Sequence, residues 1–259
     1  MEFKDIKSVA IYGTDCVADI SRGDGDVTEF LTAREKYFDI SVDNGVLTVR
    51  QKSRNLFYRL ILHKIEFKII LPRAFKGKLR FRNKNGGLFV NGGSFAESEI
   101  STCNGKIEFV SASCDRFELK MQNGNVALKN ATVGDATSIK CANGTVKIES
   151  VNSPSISITG ANATITAADV TAKKFECTTS NGTIDASGIT ADDMRLETTN
   201  GRINASPLGE RDDFKLSAET VHGALTVDGV AYKRLADVAH AAKRLNVKAA
   251  NGDIDIRFI

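Results

Sequence analysis

The dipeptide Asn-Gly returns along this chain at an almost constant interval. It stands at Asn85-Gly86, Asn104-Gly105, Asn123-Gly124, Asn143-Gly144, Asn181-Gly182, Asn200-Gly201 and Asn251-Gly252. Asn162-Ala163 and His222-Gly223 fill two gaps, so successive steps from Asn85 are 19, 19, 20, 19, 19, 19, 22 and 29 residues. A fixed period near twenty marks one supersecondary unit repeated and stacked, each unit's apolar face being covered by its neighbours. Such an architecture points to an extended surface rather than a single catalytic pocket.

Residues at fixed offsets from the Asn agree in character. Three after it come Leu88, Ile107, Val126, Val146, Ile165, Ile184, Ile203, Leu225 and Ile254; five after it, Val90, Phe109, Leu128, Ile148, Ala167, Ala186, Ala205, Val227 and Ile256. Apolar residues also stand four and six before it, with polar breaks in the second column at Ser98 and Thr137. Another apolar residue falls eight after: Ala112, Ala131, Val151, Val170, Ile189 and Leu208. Alternation within each arm predicts half-buried strands meeting at an Asn-Gly corner, where both residues tolerate positive φ. Asn-Gly is also the strongest hairpin signal, but hairpins need not keep one inward pattern over nine units. The expected fold is all-β, a β-solenoid (β-helix-like) of 19–20-residue coils.

Residues 1–75 lack the period yet contain strand-like runs such as Val9–Tyr12, Val17–Ile20, Val46–Val49 and Ile65–Pro72, with a turn at Asp43-Asn44-Gly45. They are expected to form irregular first coils or a cap, continuous as one domain with a regular solenoid over 76–259. Between the last two corners the period slips. Tyr232, Leu235, Val238, Ala242 and Leu245 keep helical spacing and predict a short helical insertion over 229–245.

Net charge is only +3, but residues 50–84 hold twelve Lys and Arg against the single acid Glu66. Within that stretch Lys76, Lys78, Arg80, Arg82 and Lys84 occupy alternate positions. On a strand all five would share one face. Such a row suits an anionic polymer, a membrane surface or an acidic protein partner. It would equally suit an ordinary solvated face, partly neutralised by Glu99 and Glu118 on the next coils. Nucleic acid is disfavoured, because there is no recognition module and no aromatic interleaving.

Nothing in the pattern gathers a catalytic constellation. His63, His222 and His240 are far apart, with His222 at a corner position. Asp24, Asp26, Asp192, Asp193, Glu210, Asp212 and Asp213 fall in connections, without the spacing of a calcium loop. Cys16, Cys103, Cys114, Cys141 and Cys177 include no CxxC pair and read as small buried thiols. No catalytic, cofactor or metal residue is expected. The start of the sequence shows no signal pattern, and no apolar run spans a bilayer; the longest, Phe57–Leu62, is broken by Arg59. The chain as given therefore reads as cytoplasmic, while a piece of a longer envelope protein would read the same.

The early strands, the strand ending Ile70-Leu71-Pro72, and the serial units Asn104-Gly105-Lys106-Ile107-Glu108-Phe109 and Asn200-Gly201-Arg202-Ile203-Asn204-Ala205 carry a family resemblance. Over nearly its whole length the chain resembles the bacterial putative-adhesin β-strand-repeat proteins of unknown function. The resemblance implies a β-solenoid with an envelope-associated or adhesive role and supplies no catalytic residues. The expected function is a non-enzymatic adhesin-like or scaffold module binding another macromolecule. The alternatives are a carbohydrate-active β-helix enzyme and a self-assembling structural element.

Overall fold

A computed structural model describes residues 1–53, 64–236 and 241–259. The run Phe57–Leu62, His63 and His240 lie outside the described residues. The chain falls into two compact units, Met1–Gly134 and Asp135–Ile259. The first holds β1 (Glu2–Phe3), β2 (Ser8–Tyr12), β3 (Asp15–Arg22), β4 (Thr28–Leu31), β5 (Phe38–Asp43), β6 (Val46–Gln51), β7 (Ile65–Leu71), β8 (Lys78–Asn91), β9 (Ser94–Val110) and the start of β10 (Ser113–Asn152). The second holds the rest of β10, then β11 (Ser155–Thr171), β12 (Lys174–Asn181), β13 (Ile184–Thr190), β14 (Asp193–Asn200), β15 (Ile203–Pro207), β16 (Phe214–His222), β17 (Leu225–Val227), β18 (Val230–Tyr232), β19 (Arg234–Ala236), β20 (Lys243–Asn251) and β21 (Ile254–Ile256).

The alternation read from the sequence becomes parallel ladders between successive coils, a β-solenoid within each unit. Leu79 lies opposite Ser98, Phe81 opposite Ile100, Leu88 opposite Ile107 and Val90 opposite Phe109. The columns six and four before the Asn and three and five after it are buried, each Ile, Leu or Phe contributing about 1.5–3 kcal/mol. Phe95, Phe109 and Phe117 stack along the first unit's core at centroid distances of 5.7 and 5.1 Å. The polar breaks are buried as well. Thr137 Oγ1 donates to Ser153 Oγ at 3.1 Å, which donates onward to the Ser155 carbonyl at 3.0 Å. Ser98 lies beside Cys114, whose thiol burial pushes up to about 12. Leu208 departs from its column: it is 50% exposed, and Pro207 takes the place opposite Ile189.

The Asn and the Gly of a corner do different jobs. Positive φ falls on Gly86, Gly105, Gly124, Gly144, Gly201 and Gly252, not on the Asn before each. A Cβ on Gly105 would sit 1.6 Å from the Gly86 carbonyl oxygen, so this residue type is set by the close approach of the coil beneath. The Asn amides form a ladder. Asn104 Nδ2 donates to Asn85 Oδ1 at 2.7 Å and Asn123 to Asn104 at 2.8 Å. In the second unit Asn162, Asn181, Asn200 and Asn251 donate in turn to Asn143, Asn162, Asn181 and Asn200. Asn44-Gly45, by contrast, is a hairpin turn joining antiparallel β5 and β6, with φ of 50° and 78°. A second corner follows Asn104, Asn123, Asn143 and Asn162 by seven residues, where Ser111, Asn130, Ser150 and Asp169 hold φ between 48° and 53°.

The order of stacking is not the order of sequence at either end of the chain. In the first unit the arms before the corner run β6, β2, β8, β9, β10, and those after it β7, β3, β8, β9, β10. The first coil, β2–β3, is thus threaded between β6–β7 and β8. In the second unit the last coil, β20–β21, is threaded between β14–β15 and β16–β17. His222 therefore follows Asn251 in the corner column although it precedes it in sequence. The outer strands are covered by antiparallel partners, β5 on β6, β4 on β7, β19 on β16 and β18 on β17. This overturns the expected helix over 229–245. Its described part forms β18, β19 and the start of β20, because β16 and β17 would otherwise present unpaired ladder groups at a sheet edge.

Candidate functional site

Strand β8 builds the cationic face. Its alternation sends Leu79 and Phe81 into the core and leaves Lys78, Arg80, Arg82 and Lys84 exposed. Lys76 is exposed too, but it precedes the strand. Gly77 separates it from Lys78 and passes so close to the Lys7 carbonyl oxygen that a Cβ would lie 1.9 Å away.

Neighbouring β9 answers this row with acids in register. Lys78 lies opposite Glu97 and Arg80 opposite Glu99. Lys78 Nζ pairs with Glu97 at 2.9 Å, while Glu99 bridges Arg80 Nε at 2.8 Å and an Arg82 guanidinium nitrogen at 2.9 Å. Hydrogen bonding from Arg82, reinforced by Arg80, holds the Glu99 carboxyl below its ordinary range, and the bond to Glu99 raises Arg80 in return. Glu118, expected to share this neutralising role, pairs instead with Lys120 of its own strand at 2.6 Å.

On the other flank of β8, the outward positions of β2 are occupied by small Ser8 and Ala10 and then Tyr12. Tyr12 lies in register between Arg82 and Arg50 of β6, and the Arg50 guanidinium stacks over its ring at 4.8 Å. Toward the corner a shallow depression of ≈ 510 Å³ opens, lined by Tyr12, Arg50, Gln51, Arg82, Lys84 and Cys103 among others, with no carboxylate in its lining. Gln51 Oε1 accepts the backbone N–H groups of Thr14 and Asp15 at 2.8 and 2.9 Å, fixing the turn at its floor. Lys84 makes no ion pair among the described residues. Sequence reasoning missed Arg50 and Tyr12 because they belong to the aperiodic part of the chain.

The candidate corner residues form the ladder already described. Of the scattered acids, Glu210 and Asp213 cap their own 3₁₀ turn over Arg211–Asp213. Among the described residues no three His, Cys, Asp or Glu converge as a metal site. No helix of the described residues is long and apolar enough to cross a membrane. Cys16, Cys114, Cys141 and Cys177 are buried and unbridged, and Cys103 is half-buried. The carboxylates nearest the cationic row, Glu97 and Glu99, are committed to ion pairs.

No curated protein matches the chain. Among solved structures, a putative cell adhesion protein from Clostridium sporogenes is 13% identical over 99% of this chain and 94% of its own, with a TM-score of 0.24. A putative adhesin from Parabacteroides merdae is 13% identical over 100% and 95%, with a TM-score of 0.43. A putative lipid binding protein from Parabacteroides distasonis is 12% identical over 100% and 95%, with a TM-score of 0.37. A family model described as Toastrack DUF4097 matches residues 19–257. With coils, corners and match running through the same residues, the chain belongs to the Toastrack DUF4097 family.

Proposed function

We propose that this protein is a non-enzymatic binding module whose first unit docks onto an anionic macromolecular surface, such as the lipids or phosphate-rich polymers of a bacterial envelope. One observation carries the reading. Strand β8 presents Lys78, Arg80, Arg82 and Lys84 on a single solvent face, extended by Arg50, against the paired carboxylates Glu97 and Glu99 and, opposite Arg50, an Asp39 that pairs with Lys52. The excess of cations is held on rigid strands, so little backbone order has to be created on binding. Attraction of this kind is worth about 1 kcal/mol per basic residue near an anionic surface and is screened by salt.

The test is co-sedimentation with vesicles of phosphatidylglycerol and phosphatidylcholine, and with phosphatidylcholine alone. The wild type is expected to bind only the anionic vesicles, more weakly as salt rises. The triple variant Lys78→Glu, Arg80→Glu, Arg82→Glu should lose at least about tenfold in affinity. Equal binding by wild type and triple variant would remove this face from the function.

A further inference from the structure

Within that binding face, and resting on that reading, we infer that the depression between Tyr12, Arg50, Arg82 and Lys84 is a pocket for a phosphate monoester group. Two guanidinium groups and an ammonium surround it, and its lining carries no carboxylate. Arg50, Tyr12 and Arg82 stand in register on three adjacent strands, which puts the two arginines on either side of the phenol, about 4.8 Å per strand step. The Arg50 guanidinium carbon lies over the Tyr12 ring, 4.8 Å from its centroid, a contact that restrains its planar fork before any ligand arrives. A fork of that shape meets two oxygens of one phosphate at once. Arg82 keeps one side of its guanidinium on Glu99, and Lys84, free of ion pairs among the described residues, supplies a mobile third charge. Arg50 and Lys84, with the free side of an Arg82 shared with Glu99, favour a dianion over a singly charged diester. The Thr14 and Asp15 N–H groups are already taken by Gln51, so recognition falls to side chains.

Cys103 lines the same depression and is half-buried, whereas the other four thiols are buried. Its alkylation rate therefore reports occupancy. Iodoacetamide labelling, followed by intact mass, would be run with and without inorganic phosphate, on wild type and on Arg50→Gln and Tyr12→Phe. Vesicles of phosphatidic acid, a monoester, would be compared with phosphatidylglycerol, a diester, at matched surface charge. The pocket predicts that phosphate slows labelling severalfold in wild type and not in Arg50→Gln, and that phosphatidic acid binds at least about fivefold better than phosphatidylglycerol. Tyr12→Phe should keep most of both effects, because the ring rather than the hydroxyl supports Arg50. Equal binding of the two lipids, with labelling indifferent to phosphate, would overturn the pocket while leaving the broader face standing. Protection by phosphate without binding to either vesicle would uphold the pocket for a soluble phosphomonoester and sink the surface-docking reading. Neither protection nor vesicle binding would end both.

Discussion

At the scale of single residues, the corner shows how a side chain's job depends on its neighbour in the stack. Asn85, Asn104, Asn162, Asn181 and Asn200 each donate to one neighbour and accept from the next. Asp15 can only accept, and it takes the Asn85 amide at 2.9 Å. A corner without a glycine is a second case, seen at Asn162-Ala163 and also at Asp15-Cys16, where Cys16 stands opposite Gly86. Ala163 replaces Gly, and its methyl group is buried. Room for it is made two residues before the Asn, where Gly160 replaces the Asn83, Thr102 or Thr179 of other coils; a Cβ on Gly160 would lie 2.6 Å from that of Ala163. Gly160→Thr should therefore cost about 1–3 kcal/mol by overpacking. The double variant Gly160→Thr, Ala163→Gly should recover most of the loss, since Thr179 and Thr198 serve beside glycine corners by donating to the carbonyls of Ala163 and Gly182. Urea unfolding of the four proteins measures the coupling; strictly additive costs would refute this pairing.

At the scale of the element, β8 and β9 set the strength of the binding face between them, because Glu99 neutralises two arginines. Glu99→Gln should add one net positive charge and tighten binding to anionic vesicles about fivefold, at about 1 kcal/mol per charge, with a steeper salt dependence. The same carboxyl has a pH signature. Its folded-state pKa is lowered, so the stability it contributes is fully present above the ordinary carboxylate value and lost as pH falls through the lowered one. The stability gap between wild type and Glu99→Gln should thus close below about pH 4, which chemical unfolding across pH can follow. Much of this was legible in the sequence: the inward columns, the outward cations and Glu99 as their partner. Tyr12 and Arg50 were not, although Asp15 obeys the same offsets, with Val9, Ile11, Ala18 and Ile20 all buried. An Asp in place of Asn hid the corner. The second corner was equally visible in Ser111, Asn130, Ser150 and Asp169, small polar residues that tolerate the left-handed region. The false helix arose because an Ala-rich spacing is judged locally, whereas an uncovered strand edge exerts its pull through tertiary pairing.

At the scale of the molecule, the threading of the terminal coils was illegible for a different reason. All coils share one inward pattern, so nothing local says which lies beside which; only the irregular steps of 22 and 29 residues hint that the count and the stack diverge. Because the middle coils are equivalent, removing one whole period should be tolerated. Deleting residues 104–122 joins Cys103 to Asn123 and preserves every inward column, so a cooperative thermal melt is expected with an unfolding enthalpy reduced roughly in proportion to length. Deleting 104–113 turns the columns out of phase and should abolish the cooperative transition; circular dichroism melts distinguish the two. The threaded first coil also sets a timetable. Ser8 finds its place against Lys78, 70 residues further on. At the ~5–20 residues per second of synthesis, β2 waits on the order of 4–14 s for β8 and meanwhile has β6 alone as a flanking partner, which makes this threaded coil the part of the structure most open to mispairing while the chain is being made.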